Sequence, residues 1–135
     1  MVLQGVFKGD TKARVTLCLS SDQGHTWRHY ATVAVFPPTD PNPELPGQYL
    51  SSCEPSITLL PNGQMLAMLR TQYSHYPGEY RPIHVSWSDD MGKTWTKPVA
   101  TNPHLMNICP ELAALDNGVL ACQYGRPGFH VVFSL

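Results

Sequence analysis

A chain of 135 residues amounts to one domain, and its nine Lys and Arg residues nearly balance its ten Asp and Glu residues. There is no basic block to attract nucleic acid, and the apolar runs are too short to span a bilayer, so we expect neither a nucleic-acid partner nor a membrane segment. Thirteen Pro and ten Gly residues, spread along the chain, favour many short strands over long helices. The N-terminus lacks the charged-then-apolar layout of a secretion signal, and the sequence assigns no compartment.

Short apolar runs bounded by turn residues predict nine strands. Asn-Gly pairs at 62–63 and 117–118 each stand between two such runs, which is the strongest short-range signal of a β-hairpin. Loops are predicted over 37–47, where prolines hold the chain extended, and over 71–81, whose tyrosines either stack on a ligand or pack locally. In chain order, the predicted strands are residues 14–19, 30–36, 56–60, 64–70, 83–87, 97–101, 112–115, 119–124 and 130–133.

One turn motif occurs twice. Residues 20–27 and 88–95 both read S-x-D-x-G-x-T-W. The aspartate of such a turn accepts hydrogen bonds from nearby backbone N–H groups, the glycine supplies a left-handed backbone angle, and the tryptophan buries apolar surface beneath the hairpin. Because these hydrogen bonds within the turn account for the aspartate, we predict that Asp22 and Asp90 are structural residues and not catalytic ones.

A longer unit also repeats, since the pattern of residues 55–63 returns over 110–118, an offset of 55 positions. Each unit is predicted to be a four-stranded antiparallel meander, which is the blade of a β-propeller. The chain then holds the end of one blade over 1–36, one full blade over 53–101 and the start of the next over 109–135. This is an all-β fold of about two and a quarter blades, and a closed propeller needs about four to eight.

Two explanations of the partial propeller stay open. The sequence favours a fragment of a six-bladed propeller, because Ser134 stands where a third copy of the turn motif would begin. Alternatively, about three copies assemble into one ring. In either case exposed strand edges and half-covered apolar faces predict self-association of the isolated chain.

The candidate binding residues are Glu54, Arg70 and Arg126. Glu54 opens one strand of the predicted hairpin and Arg70 closes the next, so the two are expected at the same end of the sheet. Arg126 follows the equivalent strand of the next unit and is expected near that end as well. Two guanidinium groups that converge there suit a carboxylate ligand. The alternative is that these residues form unrelated surface salt bridges.

The turn motifs and the pattern Glu54-Pro55…Asn62-Gly63…Arg70 resemble those of the sialidase-like (exo-α-sialidase, BNR or Asp-box repeat) glycoside hydrolases, over nearly the whole chain. The resemblance implies that Glu54 is catalytic and polarises a tyrosine nucleophile. It also implies that Arg70 and Arg126 bind the carboxylate of a terminal, anionic sugar. No cofactor is implied, and members of the family are often secreted or periplasmic.

The family's first arginine, its acid/base aspartate and its nucleophilic tyrosine have no match in this chain. We therefore expect the isolated piece to be inactive as a hydrolase. The alternative function is a non-catalytic carbohydrate-binding or scaffold propeller, assembled from several copies.

The four cysteines form no C-x-x-C pair, and the six histidines show no ligand spacing, so no metal site is expected. Each cysteine is predicted to be a small buried apolar residue, although a disulfide between some pair stays open. The cysteines are Cys18, Cys53, Cys109 and Cys122.

Overall fold

In the segments that the structure describes, the protein forms ten β-strands in three antiparallel sheets and no helix. The computed structural model describes residues 1–36, 50–73, 81–101, 105, 108–125 and 128–134. The all-β prediction is confirmed, while the closure of these sheets into a propeller stays a prediction. A helix that could span a membrane is therefore also not found in these residues. The strands are β1 (Val2–Gly5), β2 (Arg14–Leu19), β3 (Arg28–Val35), β4 (Leu50–Leu59), β5 (Met65–Tyr73), β6 (His84–Ser88), β7 (Val99–Ala100), β8 (Ile108–Ala114), β9 (Leu120–Gly125) and β10 (Phe129–Ser134).

The first sheet (β1, β2 and β3) contains one strand more than the sequence predicted. Strand β1 runs antiparallel to β2, with Val2 opposite Leu17. Met1 extends the pairing, because its carbonyl accepts from Cys18 N at 2.8 Å and its amino group donates to Cys18 O at 3.0 Å. Strand β1 is only four residues long and exposes its two central side chains, so it has no apolar alternation for sequence reasoning to detect.

The second sheet (β4 to β7, in that order) is built on the predicted Asn-Gly hairpin. Its first two strands run further than predicted, because polar residues at their far ends are buried and paired. Ser52 lies opposite Thr71 in the ladder, and both are buried. The Thr71 hydroxyl also donates to the carbonyl of Pro82 at 2.9 Å. This hydrogen bond offsets the cost of burying a polar side chain in the strand.

The third sheet (β8, β9 and β10) repeats the hairpin of the second sheet, as the offset of 55 predicted. Gly63 N donates to Leu60 O at 2.9 Å, and Gly118 N donates to Leu115 O at the same distance. Both glycines adopt left-handed backbone angles, with φ of 85° and 86°. The repeat in the sequence is therefore a repeat in backbone geometry.

The sheets pack face to face, and β5 is buried on both sides. Ala67 and Leu69 lie in an apolar cluster with Val15 and Leu17 of the first sheet. Leu66 and Met68 alternate with them and contribute to a second cluster, which includes residues of the third sheet. The second sheet is thus the middle layer, and its β4 lies beside strands of both neighbours.

Both S-x-D-x-G-x-T-W turns have the predicted hydrogen bonds. Asp22 Oδ1 accepts from Thr26 N, and Asp90 Oδ1 accepts from Thr94 N, each at 2.9 Å. The tryptophans differ, however. Trp95 packs against the cluster between the first and second sheets, whereas Trp27 is 45% exposed, so its predicted burial is wrong. The described residues place no sheet beyond the first one, and Trp27 therefore has no apolar surface to cover it.

The turn aspartates predict how stability depends on pH. Hydrogen bonds from the threonine hydroxyls, the serine hydroxyls and backbone N–H groups lower the pKa of Asp22 and of Asp90 from 3.8 to about 2. A carboxyl group with a lowered folded-state pKa stabilises the fold above its unfolded pKa and loses this contribution as the pH falls through its folded pKa. The free energy of unfolding should therefore decline between pH 3.8 and about 2.

The control is the double variant Asp22→Asn/Asp90→Asn, which cannot titrate at these positions. Urea unfolding at a series of pH values should give a shallower decline for the variant than for the native chain across this window. If the free energy of unfolding fell equally with pH in the variant and the native chain, other carboxyl groups would be responsible for the loss of stability in acid.

Candidate functional site

Glu54 lies at a β-bulge in β4. The register between β4 and β5 shifts between Cys53 and Pro55, so Glu54 is the extra residue, and its φ of 43° is left-handed. A non-glycine residue in this region is uncommon and is often found at functional sites. The sequence predicted Glu54 and Arg70 at the end of the sheet, and this is wrong. Three further residue pairs lie beyond Cys53 and Arg70 in the ladder.

The predicted contact between Glu54 and Arg70 is present. Arg70 Nη1 donates to Glu54 Oε1 at 2.8 Å, an ion pair in which the arginine side chain is 17% exposed and the glutamate side chain 42% exposed. Arg70 Nε is buried and has no acceptor among the residues that the structure describes. The guanidinium therefore keeps donor capacity beyond its bond to Glu54. Arg126 lies outside the described residues, and its predicted place near this pair stays a prediction.

Cys109 joins the pair from the third sheet, and sequence reasoning missed it. Its backbone N–H donates to Glu54 Oε2 at 3.2 Å and its thiol donates to the same oxygen at 3.1 Å. The signal that would have found it is the repeat, because Cys109 stands 55 positions after Glu54 and shares its left-handed backbone, with a φ of 51°. The two bulges are equivalent positions of neighbouring sheets, and their side chains meet.

The cysteine predictions divide at this site. Cys18 and Cys122 are buried as predicted, but Cys109 is exposed and Cys53 is half-buried, so the prediction of a buried apolar residue is wrong for Cys109. None of the four is in a disulfide among the residues that the structure describes. Position 109 lies on a bulge at the junction of two sheets, where the backbone turns its side chain to a carboxylate rather than into the core.

The electrostatics of the cluster keep Glu54 ionised. Partial burial acts to raise the pKa of the Glu54 carboxyl, but the hydrogen bonds from Arg70 and Cys109, together with the charge of Arg70, outweigh it, and the pKa is lowered. For Arg70, burial acts to lower the pKa, but the bond to Glu54 and the nearby acidic groups raise it. Burial raises the pKa of the neighbouring Cys53 thiol. At neutral pH the cluster is therefore a carboxylate held by a guanidinium and a thiol.

Arg81 and Tyr73 are in contact where β5 ends, shortly before β6 begins. The Arg81 guanidinium stands over the ring of Tyr73, 4.5 Å from its centroid. Tyr73 is the first of the loop tyrosines considered as ligand contacts, and Tyr76 and Tyr80 lie outside the described residues. One face of the Tyr73 ring is thus already in contact with a cation. A sugar would meet its other face or displace the guanidinium.

An apolar cleft between the second and third sheets is separate from the cluster of Glu54, Arg70 and Cys109. It has a volume of about 590 Å³, and Met68, Trp87 and Val132 are among the residues that line it. Neither Glu54 nor Arg70 lines it, and its described lining includes no charged residue. Its chemistry is that of a packing surface, so we locate the candidate site at the bulge cluster of Glu54, Arg70 and Cys109.

Comparisons with known proteins relate the chain to others of its fold. The family model described as a BNR repeat-like domain matches residues 2–128. Among solved structures, a protein of unknown function from Dyadobacter fermentans DSM 18053 is similar, with a TM-score of 0.64 and 23% sequence identity. The similarity covers 97% of this chain and 32% of that protein, so this chain spans about a third of its length. No curated protein matches the chain.

Proposed function

Because the chain belongs to the BNR repeat-like domain family, we propose that it forms part of a sialidase-like glycoside hydrolase acting on terminal, anionic sugars. The observation that carries this proposal is the contact of 2.8 Å between Arg70 and Glu54, at a bulge of a repeated β-meander. Arginine binds carboxylates through two parallel hydrogen bonds. A carboxylate whose pKa is lowered stays ionised at neutral pH and serves as an acceptor. Both groups are thus suited to the roles that the family resemblance gives them.

In this proposal Arg70 and Arg126 bind the sugar carboxylate, and Glu54 polarises a tyrosine. A phenol is a weak nucleophile, and an adjacent base that accepts its proton activates it. Sialidases are the exception among glycoside hydrolases in using a tyrosine where most families use a second carboxylate. The chain has no match for that tyrosine or for the acid/base aspartate, so the complete reaction requires residues that this sequence does not supply.

Release of a fluorescent leaving group from a sialoside tests this assignment of roles. The purified chain should give no turnover above the uncatalysed rate, because it has neither the proton donor nor the nucleophile of the reaction. The matched variant is Glu54→Gln, which keeps the shape of the side chain and removes its charge. Turnover by the native chain that persists in this variant would refute the role proposed for Glu54.

A second candidate is a non-catalytic, carbohydrate-binding or scaffold propeller made from several copies of the chain, and the uncovered face of β10 favours it. The pairings of β5 with β6 and of β9 with β10 make Val131 the equivalent of Val85, and Phe133 the equivalent of Trp87. Val85 is buried in the cluster between the second and third sheets, and Trp87 packs against that cluster. Their equivalents Val131 and Phe133 are 45% and 66% exposed. Since the chain itself covers this face on its second sheet, we propose that a second copy covers it on the third.

Light scattering after size-exclusion chromatography tests self-association. The native chain should elute as a defined oligomer, and Phe133→Asp should dissociate it because the charge would be buried in the interface. Val99→Asp is the control, since Val99 is also exposed but lies on the edge strand of the second sheet. A monomeric native chain would reject this second candidate. Sugar binding that is lost in Arg70→Ala, without any hydrolysis, would favour its carbohydrate-binding form.

A further inference from the structure

Glu54 has more hydrogen-bond donors than an ordinary surface carboxylate. Arg70 occupies Oε1, whereas the backbone N–H and the thiol of Cys109 both reach Oε2, at 3.2 and 3.1 Å. The two Cys109 donors come from another sheet, 55 positions along the chain. A carboxylate that is held through both oxygens by two different strands has little freedom to rotate.

The backbone of Cys109 makes this double contact possible. Its φ of 51° lies in the left-handed region, which non-glycine residues seldom occupy. The register of β8 with β9 is also interrupted here, between Ile108 and Glu111. Released from the ladder, the Cys109 N–H points to a side chain instead of to a neighbouring strand. Such departures from regular geometry persist where the surroundings enforce them, and they cluster at functional sites.

We propose that Cys109 is a positioning residue for Glu54, its thiol and backbone N–H fixing Oε2 while Arg70 fixes Oε1. An ionised carboxylate offers about four acceptor positions, and the described residues supply three donors. Among these residues one acceptor position remains for a further donor, such as the hydroxyl of a nucleophile. The catalytic consequence rests on the proposed function, but the positioning itself is a property of this chain and needs no ligand to be tested.

The thiol contact is tested by comparing Cys109→Ala with Cys109→Ser. The pKa of Glu54 is followed by NMR of its side-chain carboxyl carbon in the 135-residue chain without ligand. Alanine removes one donor and should move the pKa of Glu54 upward, towards its ordinary value. Serine restores a donor and should keep the pKa near that of the native chain. Position 109 is exposed, so neither substitution disturbs the core.

The reciprocal experiment follows the thiol. In Glu54→Gln the carboxylate no longer holds the thiol proton, and the rate at which an aromatic disulfide reagent modifies Cys109 should rise about three- to tenfold. The modified peptide is identified by mass spectrometry, which separates Cys109 from the other three thiols. Glu111→Gln is the control, because Glu111 is an exposed acid on the same strand, two residues away. It should leave the rate unchanged.

The outcomes separate the positioning role from the proposed function. An unchanged pKa of Glu54 in Cys109→Ala, or a serine variant that titrates like alanine, would overturn the inference. Equal modification rates in Glu54→Gln and Glu111→Gln would overturn it too. If the titrations behave as expected but the chain binds no carboxylated sugar, the proposed function fails and the positioning of Glu54 stands.

Discussion

Replacing Gly92 with alanine should lower the free energy of unfolding by about 2 to 4 kcal/mol, whereas the same change at Gly24 should lower it by about 1 to 2 kcal/mol. Both glycines occupy the same position of the repeated turn, and both have left-handed backbone angles, with φ of 82° and 92°. Each alanine therefore incurs the same backbone strain. The difference between the two variants isolates the packing around the turn.

That packing is much tighter at Gly92. A Cβ atom there would lie 2.7 Å from Leu17 Cδ2 and 3.2 Å from Met65 Sδ, while at Gly24 its nearest neighbour would be Trp27 Cζ2 at 3.6 Å. Leu17 belongs to the cluster between the first and second sheets and has little room to move. Urea unfolding followed by tryptophan fluorescence measures both variants. Equal losses would show that the second turn is not packed against the first sheet.

The hairpins and turns were predictable because their chemistry is local. An Asn-Gly pair determines the two-residue loop of a hairpin. The turn aspartates accept hydrogen bonds from residues only four positions away. Strand β1 was not predictable, because its pairing partner begins about ten residues later and its own sequence has no alternation. The burial of Trp27 was predicted wrongly for a related reason. Whether a turn tryptophan is covered depends on a neighbouring sheet, which the motif itself does not contain.

The candidate site was predictable in part. The approach of Arg70 to Glu54 follows from the register of one hairpin, and the predicted contact is present. The contribution of Cys109 depends on how two sheets pack and on a bulge in each of them. An offset of 55 residues shows that positions 54 and 109 are equivalent, but it does not show that their side chains meet. Contacts between repeats depend on how the sheets pack, and the sequence pattern does not determine that packing.

Arg70 carries the second large prediction. If the cluster binds a sugar carboxylate, Arg70→Ala should weaken that binding about tenfold to a hundredfold, because a hydrogen bond to a charged group contributes about 1.5 to 3 kcal/mol. Arg28→Ala is the matched control, since Arg28 is an exposed arginine on β3 of the first sheet. The Arg28→Ala substitution removes the same charge from the protein without changing the cluster. The affinity of this variant for the sugar should therefore equal that of the native chain.

The most direct test is an NMR titration of the chain with a sialic acid glycoside and, separately, with its methyl ester. The acid should shift the signals of the Cys109 amide and the Arg70 side chain in a saturable manner, because both groups surround Glu54. The ester has no carboxylate for a guanidinium to grip and should leave those signals in place. Equal shifts with acid and ester, or shifts that survive Arg70→Ala, would contradict a carboxylate-binding site at this junction of two sheets.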